Sequence, residues 1–352
     1  MDVLRPSLIN INGRIYRKNI TREQTYQNEE EDFDYSASPD CLDEPCDTVE
    51  VEQTEKGYRC AIDVPSVLYK YIIGKKGDTR KRLETETRTS INIPKQGVEG
   101  QIVITGQQRA SVISACTRIE VLMESFRMKQ PFTHFLSFAL NQPEIQERYL
   151  QFKEEVLKNC SQDNGVDGSI FQNPAKLHLT IGTLSLLNEK EVTKACELLQ
   201  QCKEDFIKDI TGSKPLPLEI VGIEYMNDDP AMVDVLYAKV HPKDGSDKLQ
   251  LIADQLVKHF VSSGLMTKEW DRVKLHATVM NTVFRKDPSA EDKRDSGRQG
   301  LKDRESFDAR NLMKIFGKYH FGNLDLNAVQ VSQRFSTDSS GYYTSSGLIT
   351  FS

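Results

Sequence analysis

The sequence predicts an α+β protein in two folded parts: a small unit of order β-α-α-β-β-α, then a larger, two-lobed region built on a duplicated motif. Three observations carry that prediction. A chain of 352 residues exceeds what a single hydrophobic core ordinarily organises. Between Thr54 and Met128, short stretches with the period-two alternation of strands give way to stretches with the three-and-four spacing of helices. Farther on, a His-x-Thr triplet occurs twice, as His178-Leu179-Thr180 and His276-Ala277-Thr278, each in a strand-like segment and each preceded by Lys-Leu.

Composition sets the class. Hydrophobic residues make up 38% and charged residues 28%, values of a globular chain, and no run approaches the roughly 18 apolar residues needed to span a bilayer. The opening MDVLRPSLIN lacks the basic segment and apolar run of a secretory signal. The 7 cysteines are scattered, with no C-x-x-C pair and no histidine at zinc-finger spacing. Reduced thiols in the nucleus or cytosol are therefore expected, with no membrane, metal or cofactor. A net charge of −6 excludes a protein that coats nucleic acid by bulk electrostatics, so any RNA contact must be local.

Residues 1–53 read as a flexible segment, because Glu29, Glu30, Glu31, Asp32 and Asp34 sit in a polar run with Ser36, Ser38, Pro39 and Pro45. Inside it, Leu8 to Ile11 and Ile15-Tyr16 flank Asn12-Gly13, a favoured type I′ turn. A lone hairpin is marginal in water, so it docks on the body or on a partner, or it frays.

Residues 54–128 form the small unit. Tyr58 to Val64 alternates as a strand, and Pro65-Ser66 opens a helix with Leu68 and Ile72 on one face. Asp78 or Thr79 starts a second helix through Leu83, strands follow at Thr89 to Ile93 and Gln101 to Thr105, and a helix carries the stripe Val112, Cys116, Ile119, Met123, Phe126. Residues 131–352 form the larger region. A strand over Phe132 to Leu140 and a helix near Glu144 to Leu157 lead to the motif strands Lys176 to Gly182 and Val273 to Met280, with helices near Glu189 to Asp209 and Lys248 to Ser262. The charged run 285–305 has almost no apolar residues and reads as a flexible surface insertion.

The loop between the first two helices of the small unit is Gly74-Lys75-Lys76-Gly77. Two glycines let backbone N–H groups approach a ligand that any Cβ would hold away, and two lysines add charge where a helix begins. The loop and the element order resemble the type I KH domain over Thr54 to Met128. That resemblance implies a clamp for about four nucleotides of single-stranded RNA or DNA, with bases against a groove that would include Ile62, Leu68, Ile72 and Ile91. Core packing is the competing reading for those four residues.

In the larger region, alternation sends His178 and Thr180 to one side of their strand and Leu177, Leu179 and Ile181 to the other; His276 and Thr278 repeat the pattern. Two imidazoles around one phosphate suit transesterification or hydrolysis at phosphorus, one taking a proton as the other supplies one. The threonine hydroxyls would bond the non-bridging oxygens. Arg285 and Lys286 would steer phosphate, or simply open a charged loop; Tyr342 and Tyr343 would stack on a base, or lie in a terminal hairpin.

These residues resemble the two-histidine phosphoesterase superfamily over Pro131 to Ser352. With the KH-like unit ahead and Ser306-Phe307-Asp308-Ala309-Arg310 after the insertion, the resemblance implies a nuclear protein. It also implies membership, with a helicase subunit, of a complex linked to transcription and DNA alkylation repair. Two functions remain at this point: a metal-independent phosphoesterase acting on an RNA end or 2′,3′-cyclic phosphate, and a non-catalytic adaptor that holds a nucleotide or RNA end with the same residues.

Overall fold

A computed structural model describes residues 50–95, 97–127, 129–226, 228–268, 271–285 and 304–352, with the backbone of 8–11 and 14–17. Lys286, Cys41, Cys46, the Asn12-Gly13 turn, most of the acidic segment and residues 286–303 of the charged run lie outside the described residues. The chain divides into two compact units, Met1–Met128 and Lys129–Ser352.

In the first unit, β1 (Leu8–Ile11) and β2 (Arg14–Arg17) pair antiparallel with Leu8 opposite Arg17, as the alternation around Asn12-Gly13 predicts. The rest follows the expected order: β3 (Glu52–Thr54), β4 (Gly57–Val64), α1 (Tyr69–Ile73), α2 (Asp78–Thr87), β5 (Thr89–Asn92), β6 (Gly100–Gly106) and α3 (Arg109–Arg127). The short β3 adds an edge to a sheet of order β3-β4-β6-β5. It forms because Gly57, at φ 124°, closes the turn where a Cβ would run into the Gly106 carbonyl. Cys60 and Val64 of β4, Ile104 of β6 and Val112, Cys116 and Ile119 of α3 are buried, so the first part of the stripe read from the sequence is the helix-on-sheet seam, while Met123 and Phe126 are partly exposed and Phe126 stacks on Tyr71 of α1.

The second unit contains β7 (His134–Ala139), α4 (Pro143–Cys160), β8 (His178–Leu184), α5 (Glu189–Cys202), α6 (Lys208–Thr211), β9 (Leu216–Tyr225), β10 (Val235–Pro242), α7 (Lys248–Ser262), β11 (Ala277–Asn281), α8 (Arg310–Phe316), β12 (His320–Leu326), β13 (Ala328–Thr337) and β14 (Tyr343–Thr350). The helix expected near Glu189 to Asp209 is divided, because a π turn over Lys203–Ile207 separates α5 from α6. One eight-stranded sheet runs β12-β9-β10-β11-β8-β7-β13-β14. Its two four-stranded halves meet between β11 and β8 at a single register pair, Ala277 opposite Leu179. The two lobes are thus halves of one sheet, each contributing one H-x-T motif at the seam.

Buried residues of α4, α5, α7 and α8 share one cluster with Leu136, Leu179, Ile181, Ala277, Val279 and Val331 of the strands. The helices therefore cover one face, and the alternate strand residues stand on the other.

Candidate functional site

The site starts from the register of the seam. With Leu179 and Ala277 opposite each other and facing the core, the antiparallel order places His178 beside Thr278 and His276 beside Thr180 on the other face. All four are partly exposed. The two triplets come together, and each histidine lies across from the other motif's threonine.

Each histidine is oriented from below in the same way. His178 Nδ1 lies 2.7 Å from the carbonyl of Lys176, and His276 Nδ1 lies 2.6 Å from that of Lys274. A carbonyl only accepts, so both Nδ1 atoms carry the proton and Nε2 becomes the nitrogen that exchanges protons. Strand structure begins only at His178 and Ala277, and Lys176 ends the 3₁₀ turn Pro174–Lys176. The repeated Lys-Leu lies just ahead of the strands, where its lysine carbonyl turns toward the imidazole. His178 Nε2 lies 3.1 Å from Thr180 Oγ1, which donates to it while the ring is neutral.

The surroundings differ between the histidines. His178 sits against Phe135 (ring centroids 5.2 Å) and edge-on to Tyr343 (5.4 Å), and Lys176 Nζ lies 4.5 Å over the Tyr343 ring. His276 meets Tyr237 edge-on at 5.6 Å; that phenol is pushed up by burial and then by the nearby Glu224 carboxylate. Beside Thr180, a hydroxyl chain fixes the floor: Ser137 Oγ is 2.9 Å from Ser332 Oγ and 3.3 Å from Tyr342 Oη, and Gln330 Nε2 donates to Ser332 Oγ at 2.7 Å. Sequence reasoning missed Phe135, Tyr237, Ser137 and Ser332. Their period-two alternation was visible, but which distant strands would lie beside the motifs was not.

Three expected contacts are corrected. Tyr342 is 4% exposed and spends its hydroxyl on Ser137, so it supports the site and offers no face to a base. Arg285 is engaged with Asp167 at 3.1 Å, Glu305 at 3.5 Å and the Gly165 carbonyl, so it clamps the base of the insertion and steers no phosphate. In the first unit Ile72 has no exposed surface, and Leu68 and Ile91 are buried with it; they are core.

The loop of the first unit is as the sequence requires at its hinges. Gly74 (φ 71°) and Gly77 (φ 85°) lie in the left-handed region with Lys76 (φ 52°) between them. A Cβ on Gly74 would run into Thr79, whereas one on Gly77 would meet open space. Lys75, Lys76, Arg80, Lys81 and Arg82 gather positive charge on a chain that is acidic as a whole. Among the described residues of this unit, the large apolar side chains most open to solvent are Val67 and Val98, next to Ser66 and Glu99, which are joined by an N–H to carboxylate bond of 3.0 Å, while Ile62 is partly exposed. The two valines fell outside the helical face read from Leu68 and Ile72, which marked packing and not access.

A G-x-x-G loop in a β-α-α-β-β-α unit, followed by paired H-x-T triplets at the seam of a duplicated sheet, defines a KH domain joined to a two-histidine phosphoesterase-like fold. Family models agree: one described as "KH domain" matches residues 59–121, and one described as "AKAP7 2'5' RNA ligase-like domain" matches 132–351. The chain belongs to the AKAP7 2'5' RNA ligase-like family and carries its KH domain ahead of that region. It is 58% identical to the Mus musculus protein named activating signal cointegrator 1 complex subunit 1, covering 100% of both chains. An uncharacterized protein of Schizosaccharomyces pombe is 27% identical over 45% of this chain and 70% of its own. Among solved structures, the TT0787 protein of Thermus thermophilus aligns with a TM-score of 0.36 at 13% identity, covering 62% of this chain and 97% of that one. E. coli LigT complexed with 3'-AMP aligns with a TM-score of 0.32 at 13% identity, covering 63% and 98%.

Proposed function

We propose that the chain holds single-stranded RNA at the GKKG loop and opens a 2′,3′-cyclic phosphate at an RNA end between His178 and His276, without a metal. The observation that carries this reading is the matched pair of Nδ1 contacts to the Lys176 and Lys274 carbonyls, which leaves each Nε2 to move a proton. One neutral imidazole takes a proton from water as its oxygen bonds to phosphorus. The other, protonated, gives a proton to the ribose oxygen as the bond from that oxygen to phosphorus breaks, leaving a 2′- or 3′-phosphate. Thr180 and Thr278 hydrogen-bond the non-bridging oxygens and strengthen those bonds as charge builds.

Full-length similarity to the mouse subunit supports placing the chain in the activating signal cointegrator complex; our proposal adds a helicase among its partner subunits, the nucleus as its place, and service in transcription and DNA alkylation repair. Purification of the tagged chain from nuclear extract, with identification of what accompanies it, tests that placement. The enzyme reading is tested with EDTA present, on short RNAs ending in a 2′,3′-cyclic phosphate. His178→Ala and His276→Ala should each lower turnover by about 10²–10⁴-fold. No turnover by the unsubstituted chain, with RNA binding intact, would leave the adaptor role in its place.

A further inference from the structure

Along β13, Gln330, Ser332 and Arg334 stand on the histidine face, because Val329 and Val331 fill the core on the other. At the far end of that row the Arg334 guanidinium, 5% exposed, lies 3.8 Å from the centroid of the Phe132 ring and 4.9 Å from that of Phe335. Its Nη1 donates to the Phe132 carbonyl at 3.3 Å. The Phe335 ring is 75% exposed, the most of any large apolar side chain among the described residues and the one aromatic ring in that group.

A scattered exposed aliphatic side chain is ordinary. A flat ring with one face on a clamped guanidinium and the rest open to solvent is a platform, already oriented. It is also continuous with the site. Phe132 packs against the cluster formed by Phe135, Tyr342 and Tyr343, and Phe135 and Tyr343 are the rings that flank His178. An aromatic ledge therefore runs from the first histidine to Phe335. Next to it on the strand, Ser336 bonds Thr344 at 2.7 Å, so polar side chains adjoin the ring.

We propose that Phe335, braced by Arg334, is a stacking subsite for the base of the nucleotide adjoining the one at the histidines. The substrate class is then a single-stranded oligoribonucleotide end and not a free mononucleotide. Every base has a π-face, so such a platform tolerates sequence while it senses length. The inference rests on the reading of the paired histidines as a phosphate site.

The test uses the full chain carrying Lys75→Asp and Lys76→Asp, so that binding at the KH loop does not mask the second unit. Equilibrium binding is measured for a trinucleotide ending in a 3′-phosphate and for the corresponding nucleoside 3′-monophosphate. Phe335→Ala should weaken the trinucleotide roughly tenfold or more and leave the mononucleotide within about twofold, and Phe335→Trp should restore the difference. Equal loss for both ligands, or no loss for either, overturns the subsite while the histidine site stands; the latter result would also fit a protein partner at the ring. If the parent chain binds neither ligand, the phosphate-site reading has failed and takes this one with it.

Discussion

Tyr149 links the packing of the second unit to its site through one oxygen. Its side chain is fully buried on α4, with the hydroxyl 2.8 Å from the Gln172 carbonyl and 2.9 Å from that of Val279. Gln172 N–H also donates to the Val279 carbonyl at 3.0 Å, and Phe171 bridges Met280. The segment that leads to the Lys176 carbonyl is thereby tied to the strand that carries Thr278. Burial pushes the phenol well above its ordinary range, so it stays protonated and donating.

Tyr149→Phe removes that donor without changing the packing volume by more than one atom. The Val279 carbonyl keeps its bond from Gln172, while the Gln172 carbonyl loses the phenol inside the core. A net hydrogen bond is worth about 1 kcal/mol and an orphaned buried acceptor costs about 1–3 kcal/mol, so a loss of about 1–3 kcal/mol is expected. For a unit of this size that lowers the melting temperature by roughly 2–12 °C. Urea unfolding followed by hydrogen exchange mass spectrometry reads the two units separately. Faster exchange should appear around Gln172 and along β11, and the midpoint of the second unit should fall with an unchanged denaturant slope. A midpoint coincident with that of the unsubstituted chain would refute the argument that this hydroxyl joins the two motif segments.

Lys75→Asp with Lys76→Asp should cut single-strand RNA affinity at least about tenfold and flatten its salt dependence by about one to two phosphate contacts, read by fluorescence anisotropy at several salt concentrations. Gly74→Asp is the poorer probe: it should lower the melting temperature of the first unit, because a side chain there meets Thr79 in a left-handed backbone. Burial raises the Glu120 carboxyl on α3, which disfavours its charged form in the fold. The penalty is absent below the ordinary carboxylate value and grows as pH rises. Glu120→Gln should therefore stabilise the first unit at pH 7, with the gain vanishing below about pH 4 in denaturant titrations. His134 is the opposite case. Burial lowers it below its ordinary value of 6.5, so stability present above that value is lost as pH falls through it, and His134→Gln should flatten the change between about pH 7 and 5.

The elements that were legible are those whose burial is decided locally. Strands β4, β5 and β6 and helix α3 fall within a few residues of their periodic patterns, because one face of each packs on its sequence neighbours. The alternation in both H-x-T segments likewise named the residues that share a face. What the pattern could not carry was pairing over long separations. Ser137 meets Ser332 across β7 and β13, and Tyr343 reaches His178, through a sheet order that mixes the beginning and end of the unit. The same limit explains the three corrections. Ile72 lies on the apolar face of its helix in either role, Tyr342 is covered by its own hairpin and Ser137, and Arg285 finds Asp167 across 118 positions. The Lys-Leu repeat was seen as a sequence mark of duplication, but its use is in the backbone, where side-chain pattern says nothing.

The seam itself explains why the two motifs need so little sequence. Two halves that meet through one antiparallel register pair are related by a local two-fold, so one short solution, a lysine carbonyl under Nδ1 with a threonine two residues on, serves twice. Symmetry of that kind leaves the two imidazoles interchangeable in reach of a bound phosphate. Direction must then come from what each half adds around its motif. On one side these are Phe135, Tyr343 and the ledge to Phe335, and on the other Tyr237 and the Glu224 carboxylate. An aromatic side and a side with a phenol next to an acid make a polarised cleft from a duplicated one. In the proposed reaction the RNA chain therefore enters along the aromatic ledge between His178 and Phe335, and water comes from the Tyr237 side.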